Sequence, residues 1–503
     1  MSLLGGLLLG LASPPAVLPG AEFLGILGLV LLLEASLEER RPWLGAWLGG
    51  LVYYTWIAWY LRHTPAPLAV LGVPPAGACY FLLIAALLRV WERRLGRGSL
   101  PLGLALVWAS YEWWKGHIFG IPYPHAQLAH ALYAWPLLLG PVRLVGEAGM
   151  NALLALVAGG LWSVWRLRAR GARSGLGLAL GMLLWILLCW PLPALGSNGP
   201  PLAVALVQPC RQTYRDQGPP YVAYRDMEYL AYCRSLSLGA ASPGAPVDLT
   251  VWPEGAFRAP VRRGKEEALS SFVQYLGTGS AHLIGAGLVE GEERFAPAWN
   301  TGLLFSKEGK LLGMAEKRDL VPLGEELPFV RWFLSRESLR RLNRWLSEAT
   351  GGLARFVERG RDHPLPRLSD GRQVGIAICF ENAFPERFAA QAREGASFFC
   401  VISHEGWYRG GSELDQMLAM TVFRALETGR AVLRSTTDGL TSWVGPDGRI
   451  RGRLPVAEPG VLRAELQPVR GSRPAMGLGF WLPYLLPAAY LVALLSARAR
   501  RGV

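Results

Sequence analysis

Apolar runs separated by short arginine-loaded loops constrain this chain more than any other feature of its sequence. The runs fall at about 2–18, 20–35, 43–61, 66–90, 100–119, 136–165, 176–195 and 476–496. Roughly 20 apolar residues cross the hydrocarbon core of a bilayer as a helix. Between the runs lie EERRPW (38–43), RVWERRLGRG (89–98) and RLRARGARSG (166–175), and ARARRGV (497–503) follows the last. Short loops rich in Lys and Arg mark the cytoplasmic face of a membrane protein. About eight spans place all four basic stretches and both termini on that face, whereas seven or nine would misplace two of the loops. The opposite face then receives GAE (20–22), RHTPAP (62–67), IPYPHAQ (121–127) and all of 200–470.

Composition agrees with this division. Of the 503 residues 51% are hydrophobic, and the mean hydropathy of +0.24 is high for a soluble protein. The apolar residues crowd into 2–195 and 476–496, while 200–470 reads as an ordinary globular domain. The net charge of +13 resides largely in the basic loops, not in an array with aromatic readers, which argues against nucleic acid as a partner. The six cysteines form no CxxC and no Cys/His grouping at metal spacing, so no metal or other cofactor is expected. Cys79 and Cys189 read as small apolar fillers of spans. Cys210 and Cys233 fall in the outer domain, where free thiols are the commoner state and an oxidising compartment leaves a bridge open. The N-terminus lacks a basic n-region and an A-x-A cleavage site, and reads as a first span.

Polar residues within an apolar run attract attention. In YEWWKGHIFGIPYPH (111–125), Glu112, Lys115 and His117 lie near one membrane boundary. A charge inside a span is a functional candidate. Interfacial anchoring by Trp113 and Trp114, with Lys115 snorkelling to the surface, is the stronger reading.

The outer segment alternates β-rich runs with helical ones. LAVALVQ (202–208), DLTVW (248–252), HLIGAGLV (282–289), GRQVGIAIC (371–379), ASFFCVIS (396–403) and AVLRST (431–436) read as buried strands. Amphipathic stretches lie near 221–237, 264–276, 333–348 and 412–428, so the domain is α/β. The chain thus divides into a membrane part of seven spans (1–198), a catalytic domain (199–470), and a last span with a basic tail (471–503).

Three strand-end motifs carry chemistry. Glu254 follows a strand and a proline in VWPEGAF (251–257). Lys317 and Glu325 lie in AEKRDLVPLGEELP (315–328). Cys379 ends an apolar strand in GIAICFENAFP (375–385), a plausible placement for a nucleophile. Singly each is weak, since a strand-ending Glu is usually solvated and a buried Cys is usually core.

Glu254, Lys317 and Cys379, in that order and each within its own motif, resemble the nitrilase superfamily of carbon–nitrogen hydrolases. That resemblance implies an α-β-β-α sandwich and a Glu–Lys–Cys triad. With about eight spans added, the chain resembles one branch, the apolipoprotein N-acyltransferases of bacterial lipoprotein maturation. The likeness runs through LVQ (206–208), the WPE motif with Trp252, K-x-x-LVP-x-GE (317–325) and ICFE (378–381). It continues through RALETGR (424–430), RSTTDG (434–439) and PDGR (446–449), and PYPHAQLAHA (122–131) sits at the family's loop after the fifth span. The chain departs from the family pattern at Phe380, commonly Tyr, at His404–Glu405, usually Asn–Asp, and at Met417, commonly His.

The resemblance implies a multi-pass enzyme of the bacterial cytoplasmic (inner) membrane, with its catalytic domain on the periplasmic side. A phospholipid acyl donor, a diacylated apolipoprotein acceptor and the bilayer are its partners, and a monomer is expected. It makes Cys379 the acyl-carrying nucleophile, with Glu325 positioning Lys317 or the substrate amine and Glu381 supporting the Cys loop. The residues themselves fit Glu254 as general base, and Lys317 with the Phe380 backbone N–H beside a developing oxyanion. The amphipathic stretch VRWFLSRESLRRLNRWL (330–346) has two expected uses, an interfacial lid or packing on the domain core. A membrane-bound amidase of the nitrilase type would need the same triad, with water as acceptor, but a single anchor would suffice for it. A transporter with an inactive domain is disfavoured by the intact triad.

In sealed cells a C-terminal tag should be protected from external protease while 200–470 is cleaved. Labelling of residues 89–98 from outside would contradict the eight-span arrangement.

Overall fold

The computed structural model describes residues 1–16, 18–64, 69–118, 121–166, 173–189, 192–210, 223–240, 246–291, 296–327, 329–330, 333–349, 357–408 and 411–499. Parts of the basic stretches 166–175 and 497–503, of the loop 62–67, and of the 330–346 stretch lie outside the described residues. The chain forms two compact units. One comprises Met1–Pro193, Asp415–Glu427 and residues from Arg473 onward; the other comprises Ala194–Leu414 and Thr428–Ser472.

In the first unit an apolar helix falls in each of the expected runs: Ser2–Ala12, Leu24–Glu38, Pro42–Ile57, Ala69–Leu95, Leu100–His117, Val142–Arg166, Arg173–Leu188 and Leu478–Ala499. By length and composition, Ala69–Leu95, Val142–Arg166 and Leu478–Ala497 are long and apolar enough to cross a membrane. The first helix ends at Ala12 instead of reaching residue 18, because Pro14 and Pro15 supply no backbone donor to continue it. The helix expected from 136 begins at Val142 and breaks at Gly146, whose φ of 65° lies in the left-handed region.

Charge inside this unit is paired internally. Lys115 is 0% exposed and meets Glu112 at 2.5 Å, so it does not snorkel to the surface. Its Nζ also lies 5.3 Å from the Tyr111 ring centre and donates to the Ala126 carbonyl at 3.4 Å. Glu112 in turn accepts the Leu128 N–H at 3.0 Å. Asn151 accepts the Ala129 N–H and donates to Gln127, which helps satisfy the irregular segment 121–127 and the short 3-10 helix Leu128–Leu132 within an apolar bundle. Glu147 pairs with His130 at 3.1 Å and with Arg424, which also pairs with Glu427.

The second unit is a sandwich of two sheets. Its larger sheet runs in the order Gly460–Leu466, Leu202–Gln208, Leu249–Val251, Ala281–Val289, Ala298–Phe305, Leu311–Glu316, with Phe257–Arg262 also paired to Ala281–Val289. The other runs Ile450–Arg453, Ser442–Val444, Val432–Thr436, Ala396–Ser403, Gln373–Ile378. Strands Gln373–Ile378, Ala396–Ser403 and Val432–Thr436 are parallel neighbours, and near-continuous apolar sequence suits strands buried on both faces. The packing between the sheets is apolar: Val204, Leu206, Val251, Leu283 and Leu304 from one meet Ile376, Ile378, Phe398 and Ile402 from the other. Helix Ser270–Leu276 packs on the outer face of the first sheet through Phe272, Val273 and Leu276. On the second, Phe388 of helix Pro385–Glu394 lies 4.7 Å from Phe399. This is the layered arrangement of an α-β-β-α sandwich. Cys210 and Cys233 are both free thiols.

Candidate active site

The strand Leu249–Val251 delivers Trp252, Pro253 and Glu254 at its end. Gly285 on the neighbouring strand lets that turn approach: a Cβ there would stand 2.3 Å from the Pro253 carbonyl oxygen. Lys317 follows the strand Leu311–Glu316, and its backbone N–H donates to the Asn300 carbonyl at 2.8 Å. Cys379 follows the strand Gln373–Ile378 and takes a φ of 53°, left-handed backbone that a side chain seldom adopts. The three residues thus arrive at strand ends of two sheets.

Lys317 is 1% exposed and held between two carboxylates, 2.7 Å from Glu325 Oε1 and 3.4 Å from Glu254 Oε1. Burial alone would lower its pKa, but Glu254, Glu325 and Cys379 hold it well above the ordinary lysine range. Burial would likewise raise the Glu254 carboxyl; Lys317, His404 and Asn300 outweigh it and keep that carboxyl below its usual range. The donors to Glu254 come from Lys317 Nζ, from Asn300 Nδ2, and from the His404 backbone N–H at 2.7 Å to Oε2. Burial first, and Glu254 second, push the Cys379 thiol up to about 12, against the pull of Lys317. The resting site therefore holds an ionised carboxylate, a fixed cation and a protonated thiol.

Glu325 spends its Oε1 on Lys317 and its Oε2 on the Val321 N–H at 2.9 Å. In this geometry it positions the lysine. Glu381 accepts the N–H groups of Arg318 at 2.7 Å and Ile378 at 2.9 Å, so one carboxylate ties the Lys317 loop to the Cys379 loop. Burial, reinforced by Asp319, raises that carboxyl to about 7. Phe380 is buried and meets Phe384 edge-on at 5.2 Å. Trp252 is 1% exposed, with its indole N–H 3.4 Å from His282 Nδ1, so it supports the turn from within the core.

Asn300 and the His404 N–H are absent from a reading by motif. An Asn inside the strand Ala298–Phe305 is a weak signal, since strands are depleted in Asn. A backbone donor leaves no mark in the sequence. Arg434 and Glu405 form a fully buried ion pair in the same unit.

The family model described as Carbon-nitrogen hydrolase matches residues 203–473, and that described as Apolipoprotein N-acyltransferase N-terminal domain matches 5–160. An apolipoprotein N-acyltransferase of Azotobacter vinelandii is 31% identical, over 100% of this chain and 96% of the relative. One from Caulobacter vibrioides is 30% identical over 100% and 94%, and one from Brucella melitensis 29% identical over 92% and 88%.

Asn300→Ala removes a donor that lowers the Glu254 pKa. A depressed carboxyl stays ionised as pH falls, and losing the donor moves its titration upward. The acidic limb of the turnover profile should therefore shift to higher pH, with about tenfold lower activity on that limb. An unchanged limb would show that Asn300 does not set the carboxylate.

Proposed function

The chain belongs to the apolipoprotein N-acyltransferase family and is an acyltransferase built on a carbon–nitrogen hydrolase domain, and we propose that it works through a thioester on Cys379. In this reading the chain takes an acyl group from a phospholipid. It passes that group to the N-terminal amine of S-diacylglyceryl-cysteine on a lipoprotein. The observation that carries the reading is the buried Lys317 ammonium, held between Glu254 and Glu325 and felt by the Cys379 thiol.

In the first half-reaction Glu254 takes the thiol proton as Cys379 Sγ attacks the ester carbonyl. With the thiol near 12, little thiolate exists beforehand, so proton removal accompanies attack. Lys317 and the Phe380 backbone N–H stabilise the oxyanion; losing one such donor costs ~3 kcal/mol of barrier stabilisation. Glu254 returns its proton to the departing lysophospholipid oxygen. In the second half-reaction the acceptor amine attacks the thioester, Glu254 takes the amine proton, and the thiol is regenerated. An amine attacks thioesters readily, which suits the ping-pong order.

The membrane part has a physical purpose in this scheme. Moving each acyl CH₂ into water costs ~0.8 kcal/mol, so chains must enter from the bilayer. We place about eight spans in 1–198 and 471–503, with 199–470 on the periplasmic side of the inner membrane and the enzyme acting as a monomer. Phe333 and Trp345, 81% and 61% exposed, favour an interfacial lid for the 330–346 stretch. The amidase alternative is not favoured, because likeness to acyltransferases extends through the N-terminal part as well.

Intact mass of the purified enzyme mixed with phospholipid tests the roles. Wild type should gain one acyl chain, Cys379→Ala none, and Cys379→Ser almost none. Glu254→Gln and Lys317→Ala should fold yet fail to acylate, whereas Glu325→Ala should retain some acyl-enzyme and lose transfer. An acyl chain found on another residue of Cys379→Ala would remove Cys379 as nucleophile.

A further inference from the structure

One buried hydroxyl beside the nucleophile has no part in the scheme so far. Ser403 ends the strand Ala396–Ser403 and is 0% exposed. The parallel register pairs Ile378 with Ile402, so the next residues along the two strands are Cys379 and Ser403. On its other side Ser403 pairs with Thr436, and its carbonyl accepts the Thr437 N–H at 3.1 Å. The residue after it, His404, gives its N–H to Glu254. Ser403 thus stands between the thiol and a donor to the base, held there by its backbone.

Its side chain is not needed for that placement. Among the described residues the Ser403 hydroxyl has no conventional hydrogen-bond partner. Buried hydroxyls are ordinarily paired, and one left over in a catalytic turn requires a reason. The group whose titration it does influence is Cys379, which it pulls toward the thiolate.

We infer that Ser403 is a further catalytic residue, whose hydroxyl donates a hydrogen bond to the Cys379 sulfur as negative charge develops on it. The hydroxyl keeps its own proton throughout. The thiol proton goes to Glu254, a sulfur electron pair forms the bond to the acyl carbon, and the carbonyl pair moves onto oxygen. Ser403 favours the charged form of sulfur both on attack and when the thiolate leaves in the second half-reaction. This role rests on Cys379 as the nucleophile proposed above.

The test is alkylation of Cys379 by iodoacetamide between pH 7 and 10 in the detergent-solubilised full chain, followed by peptide mass spectrometry. It reads the thiol without any acyl donor, so failure of acyl transfer would not affect it. Ser403→Ala should alkylate about tenfold more slowly at each pH, and Ser403→Thr, which keeps the hydroxyl, should react faster than the alanine variant. The thermal midpoint of Ser403→Ala should match that of the wild type, since the resting hydroxyl makes no conventional hydrogen bond that the alanine would lose. An unchanged or faster alkylation rate in Ser403→Ala, or a lowered thermal midpoint, would overturn the inference and leave Ser403 a structural residue.

Discussion

The site depends on one buried cation. Lys317 lies out of contact with water between Glu254 and Glu325, and removing a charge from water is costly unless it is paired and hydrogen-bonded. Here the pairing is close enough to hold Lys317 and Glu254 in their charged forms. Deleting one member of such a buried set strands the others, at a cost of about 3–5 kcal/mol. The same arrangement explains how an ionised carboxylate coexists with a protonated thiol. The cation keeps Glu254 ionised, while burial and the Glu254 charge keep Cys379 protonated.

Backbone structure serves that cation. The sandwich brings strand ends from both sheets to one place, and hydrogen bonds fix the loops that follow them. Glu381 joins the Lys317 loop to the Cys379 loop through backbone N–H groups. Asp319 and Arg387 add a bidentate pair at 2.5 and 3.0 Å between the lysine loop and helix Pro385–Glu394. Gly285 leaves room for the turn carrying Glu254, and the left-handed φ of Cys379 turns the chain sharply at the thiol. Substitutions at these positions should act through geometry more than through charge.

Sequence disclosed the residues whose side chains define a motif, and missed those whose contribution is a backbone group or a distant partner. Glu254, Lys317, Glu325 and Cys379 sit in strings whose order and extent are informative even without coordinates. Asn300 lies in an unremarked strand, and the His404 N–H is invisible to any reading of side chains. Lys115 was legible as a charge in an apolar run, yet its fate was not. Whether it reaches the surface depends on Glu112 one turn away and on Tyr53 and Tyr111, whose approach only the packing reveals. The strands were readable because buried parallel strands are continuously apolar. The first apolar run overshot its helix because hydropathy does not register the missing donors of Pro14 and Pro15.

The most direct test of the account uses purified enzyme, phospholipid vesicles and a synthetic peptide beginning with S-diacylglyceryl-cysteine. Mass spectrometry of the peptide should show one added acyl chain on its N-terminal amine, with one lysophospholipid formed for each. Release of free fatty acid in equal amount, with the peptide amine unmodified, would make water the acceptor and contradict acyl transfer as the function.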